Sequence, residues 1–187
     1  MARACAAIPF AILLSSAIGN LQPAQPPGDA TAIEAIFAEL RDYGVVIELL
    51  CLAVIPAICE ELLCRGTLLS GLKRGTGTTG GVLLSAFLFA SLHMSPYRFL
   101  PQLVLGMALA VLALRYRSVI PCMILHAGHN GGLVLIDRAG GSETLSTLPP
   151  LAALGFGILG MWLLIVMPSR RERIGDAPTA GPLTTQP

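Results

Sequence analysis

Long apolar runs joined by short polar connections make up most of this 187-residue chain. The first run covers residues 3–20, and five more follow, at residues 45–72, 79–96, 98–115, 119–136 and 150–168. Each run approaches the length of about 20 residues that an α-helix needs to cross a bilayer. The pattern therefore predicts an all-α protein, a polytopic transmembrane helix bundle of about six spans with antiparallel neighbours.

The segment between the first two runs has a different pattern. Residues 21–29 are rich in proline, which predicts a linker. In residues 31–44, apolar side chains recur at helical spacing opposite charged ones, which is typical of an amphipathic helix on the membrane surface or beside a bundle. The basic start and short apolar core of residues 3–20 fit both a retained span and a secretory signal, and we favour the retained span.

These patterns divide the chain into three parts. Residues 1–44 hold the N-terminal span or signal, the Pro-rich linker and the amphipathic surface helix. Residues 45–168 hold the other five spans and form the membrane core. Residues 169–187 are polar and Pro-rich, which predicts a disordered cytoplasmic tail. Within the core, the glycine-rich residues 73–81 predict a flexible loop, because they lack the GK[ST] ending of a phosphate-binding loop.

The composition supports a membrane protein. Hydrophobic residues make up 54% of the chain and charged residues 12%, and the mean hydropathy is +0.73. Soluble domains average about 25% charged residues, so we expect an integral membrane protein with the lipid bilayer as its surroundings. The net charge of +1 provides no basic field for nucleic acid, which is therefore not an expected partner. The sequence leaves the oligomeric state open.

The distribution of lysine and arginine between the connections predicts the orientation, because cytoplasmic loops carry an excess of both. With the N-terminus and Arg3 inside, the cytoplasmic side holds most of the remaining basic residues, namely Lys73, Arg74, Arg115, Arg117, Arg170, Arg171 and Arg173. The opposite side then holds Arg41, Arg98 and Arg138. We therefore predict a multi-pass protein, placed in the plasma membrane, with both termini cytoplasmic.

All the cysteines lie in apolar runs without CxxC or metal-ligand spacing; they are Cys5, Cys51, Cys59, Cys64 and Cys122. Such a distribution does not predict a disulfide framework. We expect these side chains to behave as small buried hydrophobic groups.

Three of the predicted spans carry polar residues that are expensive in hydrocarbon. They are the segments EELLCR (Glu60 to Arg65), FASLH (ending in His93) and HAGHN (His126 to Asn130). Ionisable residues inside spans are rare, usually face the bundle interior and mark functional sites. With a rise of about 1.5 Å per residue, the three segments place these groups about 12–20 Å from the cytoplasmic helix ends. The spacing predicts one site near the middle of the membrane.

The spacing within the segments also assigns faces. Glu61 and Arg65 are four residues apart and can pair, whereas Glu60 is rotated by about 100° and remains available. Pro56, one turn earlier, predicts a kink in this helix.

The residue types favour a hydrolytic site. A carboxylate such as Glu60 is suited to act as general base, and a histidine can hold the same water molecule. His126 and Asn130 share a helix face and can donate to a developing oxyanion. These groups suffice for water-mediated hydrolysis of an amide. His129, beside Asn130, is interpreted as a neighbour and not as a catalytic group.

Taken in order, the three segments resemble the motifs EExxxR, FxxxH and HxxxN of the CAAX prenyl endopeptidase and bacteriocin-processing family of intramembrane proteases, also called CPBP or Abi. The resemblance covers residues 45–136 and makes residues 45–168 a CPBP-like intramembrane protease core. It implies a CAAX-type intramembrane endopeptidase, a hydrolase whose substrate is a peptide or a membrane protein.

The resemblance also implies the role of each residue. Glu60 and His93 would activate the attacking water, and His126 and Asn130 would form the oxyanion hole. Glu61 and Arg65 would support the site.

Two alternatives remain open. Glu60, His93 and His126 could bind Zn²⁺ and leave one position for water. We favour a metal-independent mechanism without a cofactor, because an HExxH motif is absent and Asn130 suits an oxyanion hole better than a metal shell. The other alternative is a non-catalytic membrane protein, such as a self-immunity or transporter-associated partner.

Overall fold

The computed structural model describes residues 1–22 and 32–166. Across these residues the secondary structure is helical without a strand, which confirms the predicted all-α class. The helices are α1 (Ala2–Asn20), α2 (Ala32–Asp42), α3 (Val45–Leu49), α4 (Ile55–Glu61), α5 (Leu69–Leu92), α6 (Pro96–Tyr116), α7 (Ile120–Arg138), α8 (Ser142–Thr147) and α9 (Pro150–Met161). π-Helical turns cover Leu50–Val54, Leu62–Leu68 and Trp162–Val166. Most of the Pro-rich linker, and the predicted tail at 169–187, lie outside the described residues.

A single helical run from residue 45 to residue 92 contains two of the predicted spans. It turns back at Gly77, whose φ of 75° is favourable for glycine and rare for other residues. The two arms, the first covering residues 45–76 and the second residues 78–92, lie close on either side of this turn, since a Cβ at Gly81 would overlap the backbone of Lys73. The segment predicted as a flexible loop is thus helical on both sides of a tight turn, and that prediction was wrong.

The two arms run antiparallel. Farther from the turn, the Ser85 hydroxyl donates a hydrogen bond to the Cys64 carbonyl across the pair (3.3 Å). α6 then packs along the second arm, where Gly106 lies against Ala86 and Phe89. This close packing brings the EELLCR and FASLH segments to the same level of the bundle.

Helix α1 packs in the middle of the bundle, against α6, α7 and α9. Its contact with α7 depends on glycines, because a Cβ at Gly128 or Gly132 would overlap Ile8 or Ile12. The contact with α9 is built in the same way, by Gly157 against Leu14 and by Gly160 against Phe10. Small residues that allow close helix approach are the usual packing device of membrane helices.

The apolar character of the helices agrees with a membrane location. Among the described residues, α1 and α6 are long and apolar enough to cross a bilayer, and α9 is a shorter apolar helix. Large apolar side chains also cover the outer surface; examples are Ile55, Leu62, Leu151 and Phe156, which are 50–74% exposed within the bundle. An outer surface of this kind suits contact with lipid. The count of about six spans stays a prediction.

The cysteines divide into two groups. Cys64 and Cys122 are buried as predicted, whereas Cys5, Cys51 and Cys59 are exposed on the bundle surface, and all five are free thiols. The prediction was therefore wrong for three of them. In a membrane protein an apolar run faces lipid on one side, so a residue in such a run need not pack inside the protein.

Candidate active site

A buried ion pair lies at the centre of the candidate site. Arg65 Nη1 donates a hydrogen bond to Glu61 Oε1 (2.9 Å), and neither side chain has accessible surface. Arg65 Nη2 donates to the carbonyl of Gly106 (2.8 Å), and its guanidinium lies 4.5 Å from the centre of the Phe89 ring. The pairing that the four-residue spacing predicted is present, and it joins the first arm to α6.

His126 adds a second donor to the same carboxylate. Its Nδ1 lies 3.0 Å from Glu61 Oε1, and because a carboxylate paired with arginine only accepts, the ring nitrogen donates. The other ring nitrogen, Nε2, faces Glu60 Oε2 at 4.0 Å. Neither of these two atoms has a hydrogen-bond partner within the described protein. At this separation a single additional atom placed between them can contact both.

Glu60 differs from Glu61 in its access to the outside. Its side chain is 27% exposed, whereas the Glu61 side chain is fully buried. The helix around them is irregular, since α4 has Pro56 in its first turn and π-helical turns on both sides. π-Helical turns inside helices are frequent at functional sites. The kink predicted from Pro56 stays a prediction.

His93 lies at the end of the second arm. Its Nδ1 is 3.0 Å from the carbonyl of Phe89, and because a carbonyl only accepts, Nδ1 donates and Nε2 keeps a lone pair. The Phe89 ring lies between two imidazoles, with its centre 5.1 Å from that of His93 and 5.4 Å from that of His126. This aromatic ring walls one side of the site.

Asn130 lies one turn after His126 on α7 and is held by two hydrogen bonds. Its Nδ2 donates to the carbonyl of Leu52 (3.3 Å), which lies in the first π-helical turn. Its Oδ1 is 3.1 Å from His129 Nδ1. The other nitrogen of that ring, Nε2, lies 2.9 Å from Ser15 Oγ on α1.

The sequence interpretation missed Ser15 and gave His129 no role beyond that of a neighbour. The local signals available were the two serines, Ser15 and Ser16, in an otherwise apolar run, and the polar His129 within a span. No periodicity joins these positions, because Ser15 and His129 are 114 residues apart.

A cavity of about 810 Å³ opens beside these residues. Its walls include Glu60, His93, Asn130, His129 and Ser15. Of the four predicted catalytic residues, three therefore lie on the cavity wall. The fourth, His126, is fully buried and faces Glu60.

Charged residues surround another part of the cavity wall. Arg41 on α2 pairs with Asp137 on α7 (3.0 Å), and Arg138 pairs with Glu48 on α3. The first pair ties the amphipathic helix α2 to α7, and the second ties α3 to α7. Arg98 also lines the cavity.

The zinc alternative considered above stays a prediction. Glu60 Oε2 and His126 Nε2 are 4.0 Å apart, and the other nitrogen of His126 donates to Glu61, as the second ring nitrogen of a zinc-binding histidine commonly does to a carboxylate. Among the described residues, no group of three His, Cys, Asp or Glu side chains has the arrangement of a metal site.

Comparison with known families supports the interpretation of the motifs. Residues 42–132 match the family model of type II CAAX prenyl endopeptidase, Rce1-like. This segment is similar to the Rce1-like family. It contains all three motifs and covers just under half of the chain. The resemblance stated from the motifs is thereby confirmed.

The match also has a functional meaning at the level of the family. The Rce1-like family implies a protease, a hydrolase of peptide bonds, and it is membrane-embedded. The apolar helices of this chain agree with that location. No curated protein and no solved structure gives a significant match to the chain.

Proposed function

We propose that this protein is a CAAX-type intramembrane endopeptidase that hydrolyses peptide bonds of membrane-associated substrates. The observation that carries the proposal is the meeting of Glu60, His93 and Asn130 on the wall of one cavity. These residues come from three motifs of the segment that matches the Rce1-like family.

In the proposed reaction, Glu60 is the general base. Its carboxylate takes a proton from water while the water oxygen bonds to the carbonyl carbon of the substrate. His93 Nε2, which keeps a lone pair, accepts a hydrogen bond from the same water. The C–N bond then breaks, and the leaving amine takes the proton from Glu60.

The developing oxyanion is stabilised by Asn130 and His126. Asn130 has one amide N–H beyond the one that binds Leu52. His126 donates from Nε2 only when its ring carries two protons, because Nδ1 already donates to Glu61. The Glu61 carboxylate stabilises that charged ring, and Arg65 holds the carboxylate in place. Preorganised donors of this kind are usually the largest contribution to catalysis of acyl transfer.

The proposed setting is a multi-pass protein of the plasma membrane with both termini cytoplasmic. The cavity volume is within the range of about 300–1,000 Å³ that is usual for small-ligand sites. It accommodates a short peptide segment and not a folded domain. The expected substrate is therefore an extended segment of a membrane-anchored protein or a peptide.

The test is cleavage of a peptide library by the purified protein in liposomes, read by mass spectrometry. The library contains peptides with a prenylated cysteine near the C-terminus and the same peptides without the lipid. A Glu60→Gln/His93→Ala double variant, purified in the same way, controls for contaminating proteases. We expect new peptide ends with the wild type alone. Equal cleavage by both preparations, or none by the wild type in any lipid composition, would contradict the proposal and favour the non-catalytic alternative.

A chelator separates the two versions of the mechanism. With phenanthroline added, the glutamate mechanism predicts an unchanged cleavage rate. Loss of cleavage with the chelator, and its return with Zn²⁺, would assign the chemistry to a metal.

A further inference from the structure

A chain of hydrogen bonds leads from helix α1 into the candidate site. It starts at Ser15 Oγ, passes through both ring nitrogens of His129 (2.9 and 3.1 Å) and reaches Asn130 Oδ1. Asn130 Nδ2 then donates to the carbonyl of Leu52 (3.3 Å). His129 is 1% exposed, and its bonds to Ser15 and Asn130 are partly buried.

The donors and acceptors in this chain fix one arrangement. The Leu52 carbonyl can only accept, so the amide nitrogen of Asn130 faces it and the amide oxygen faces His129. His129 Nδ1 must then donate, and the neutral ring accepts at Nε2. The Ser15 hydroxyl fills that role, and the Ile12 carbonyl at 3.0 Å is its competing acceptor.

We propose that Ser15 and His129 are positioning residues that hold the Asn130 amide in the orientation needed for the oxyanion hole. An amide turned by 180° would present its oxygen to the developing negative charge and would oppose the reaction. The bond from His129 prevents this, because it is satisfied only when the amide oxygen points away from Leu52. The inference rests on the proposed function, in which Asn130 donates to the oxyanion.

The proposal also assigns a role to a part of the chain outside the Rce1-like match. Ser15 lies on α1, whereas the matched segment begins at residue 42. Helix α1 is held against α7 by the close contacts at Gly128 and Gly132. Its position beside His129 is therefore a fixed part of the bundle, and the site extends across both segments.

The test compares kcat and KM for peptide cleavage in a set of single and double variants. His129→Leu removes the bond to Asn130, and we expect kcat to fall about 10- to 100-fold with KM unchanged, less than the 10²–10³-fold typical for removing a donor. His129→Asn keeps an N–H near the position of Nδ1 and should recover most of kcat. Ser15→Ala should lower kcat by a smaller factor, and Ser15→Thr, which keeps the hydroxyl, should have a kcat close to that of the wild type.

The matched control for the serine is Ser70→Ala. Ser70 donates to the carbonyl three residues earlier (2.9 Å), as Ser15 can, but it is exposed and does not line the cavity. We expect wild-type kinetics from this variant. Circular dichroism of each variant in liposomes checks that the helices are retained.

The decisive comparison uses the Asn130→Ala background. If His129 acts through Asn130, adding His129→Leu to Asn130→Ala lowers kcat no further. Independent losses that multiply would overturn the proposal, and so would a change in KM alone. Covalent labelling of Ser15 by a fluorophosphonate would also overturn it, because the hydroxyl would then be a nucleophile.

The outcome separates this inference from the proposed function. Active wild type with unaffected Ser15 and His129 variants overturns the positioning role alone. A wild type that cleaves nothing overturns the proposed function, and the positioning role with it.

Discussion

Glu60 and Glu61 are adjacent in the chain and have different environments. Glu61 accepts hydrogen bonds from Arg65 and His126 inside the bundle, while Glu60 lies on the cavity wall. The rotation of about 100° between consecutive helical residues separates the two side chains. One carboxylate is thereby committed to structure, and the other remains accessible for chemistry.

The buried pair gives a prediction about stability. Arg65→Met should destabilise the protein by about 3–5 kcal/mol, because it leaves the Glu61 carboxylate buried without its cation. The matched comparison is Arg41→Met. The pair of Arg41 with Asp137 is about half exposed, so losing it should lower the free energy of unfolding by about 0–1 kcal/mol. Unfolding in mixed micelles with increasing denaturing detergent measures both variants. Equal losses of stability in the two variants would show that other groups stabilise the buried Glu61 carboxylate.

The contact between Glu61 and His126 gives a second prediction. Glu61→Gln should lower kcat, because a neutral amide stabilises the doubly protonated His126 ring less well than a carboxylate. Removing one oxyanion donor typically costs about 10²–10³-fold, and the loss here should approach that range. Steady-state peptide cleavage measures it. An unchanged kcat would remove His126 from the oxyanion hole.

At the scale of the elements, glycines determine how closely α1 approaches its neighbours. Gly157 and Gly160 on α9 lie directly against α1, whereas Gly155 on the same helix has open space around it. The positions differ only in which face of α9 they occupy. This contrast separates the effect of packing from the effect of glycine on the helix itself.

The element-scale prediction follows from that contrast. Gly160→Ala should destabilise the bundle by about 1–3 kcal/mol, because the added methyl group overlaps the Phe10 ring and forces it to move. Gly155→Ala meets no atoms and should stabilise by about 0.5–1 kcal/mol through helix propensity. The same micelle unfolding experiment measures both. Effects of the same sign would mean that α1 does not pack against this face of α9.

At the scale of the whole molecule, the apolar pattern anticipated the helices well. The predicted spans at 98–115 and 119–136 correspond to α6 and α7 within a few residues. Hydrophobic length constrains such elements strongly, because an apolar run in a membrane protein has few alternatives to a helix. The turn at Gly77 lies between the predicted spans at 45–72 and 79–96, so this one helical run corresponds to two spans.

The site was only partly predictable for a physical reason. Helical spacing assigns residues to a face, so the Glu61–Arg65 pair was accessible from the sequence. It does not give the direction of a ring or contacts between distant segments. The burial of His126 beside Glu60, and the bonds of His129 to Ser15 and Asn130, depend on such contacts.

The orientation of the molecule is a further prediction. Thr76 adjoins the Gly77 turn, and Met94, 85% exposed, lies at the other end of the second arm. In a background whose native cysteines are replaced by alanine, Thr76→Cys and Met94→Cys report on opposite sides. A membrane-impermeant maleimide added to intact cells should label Met94→Cys and leave Thr76→Cys unlabelled. The reverse pattern would place the Lys73–Arg74 connection outside.

The measurement that tests the central claim most directly is the kcat of Glu60→Gln on a cleaved peptide, beside the wild type and Glu39→Gln. Glu39 is an exposed glutamate on α2, so its variant controls for the loss of a negative charge. If Glu60 is the general base, kcat falls at least about 100-fold in Glu60→Gln and stays at the wild-type value in Glu39→Gln. A Glu60→Gln protein that cleaves at the wild-type rate would contradict the account.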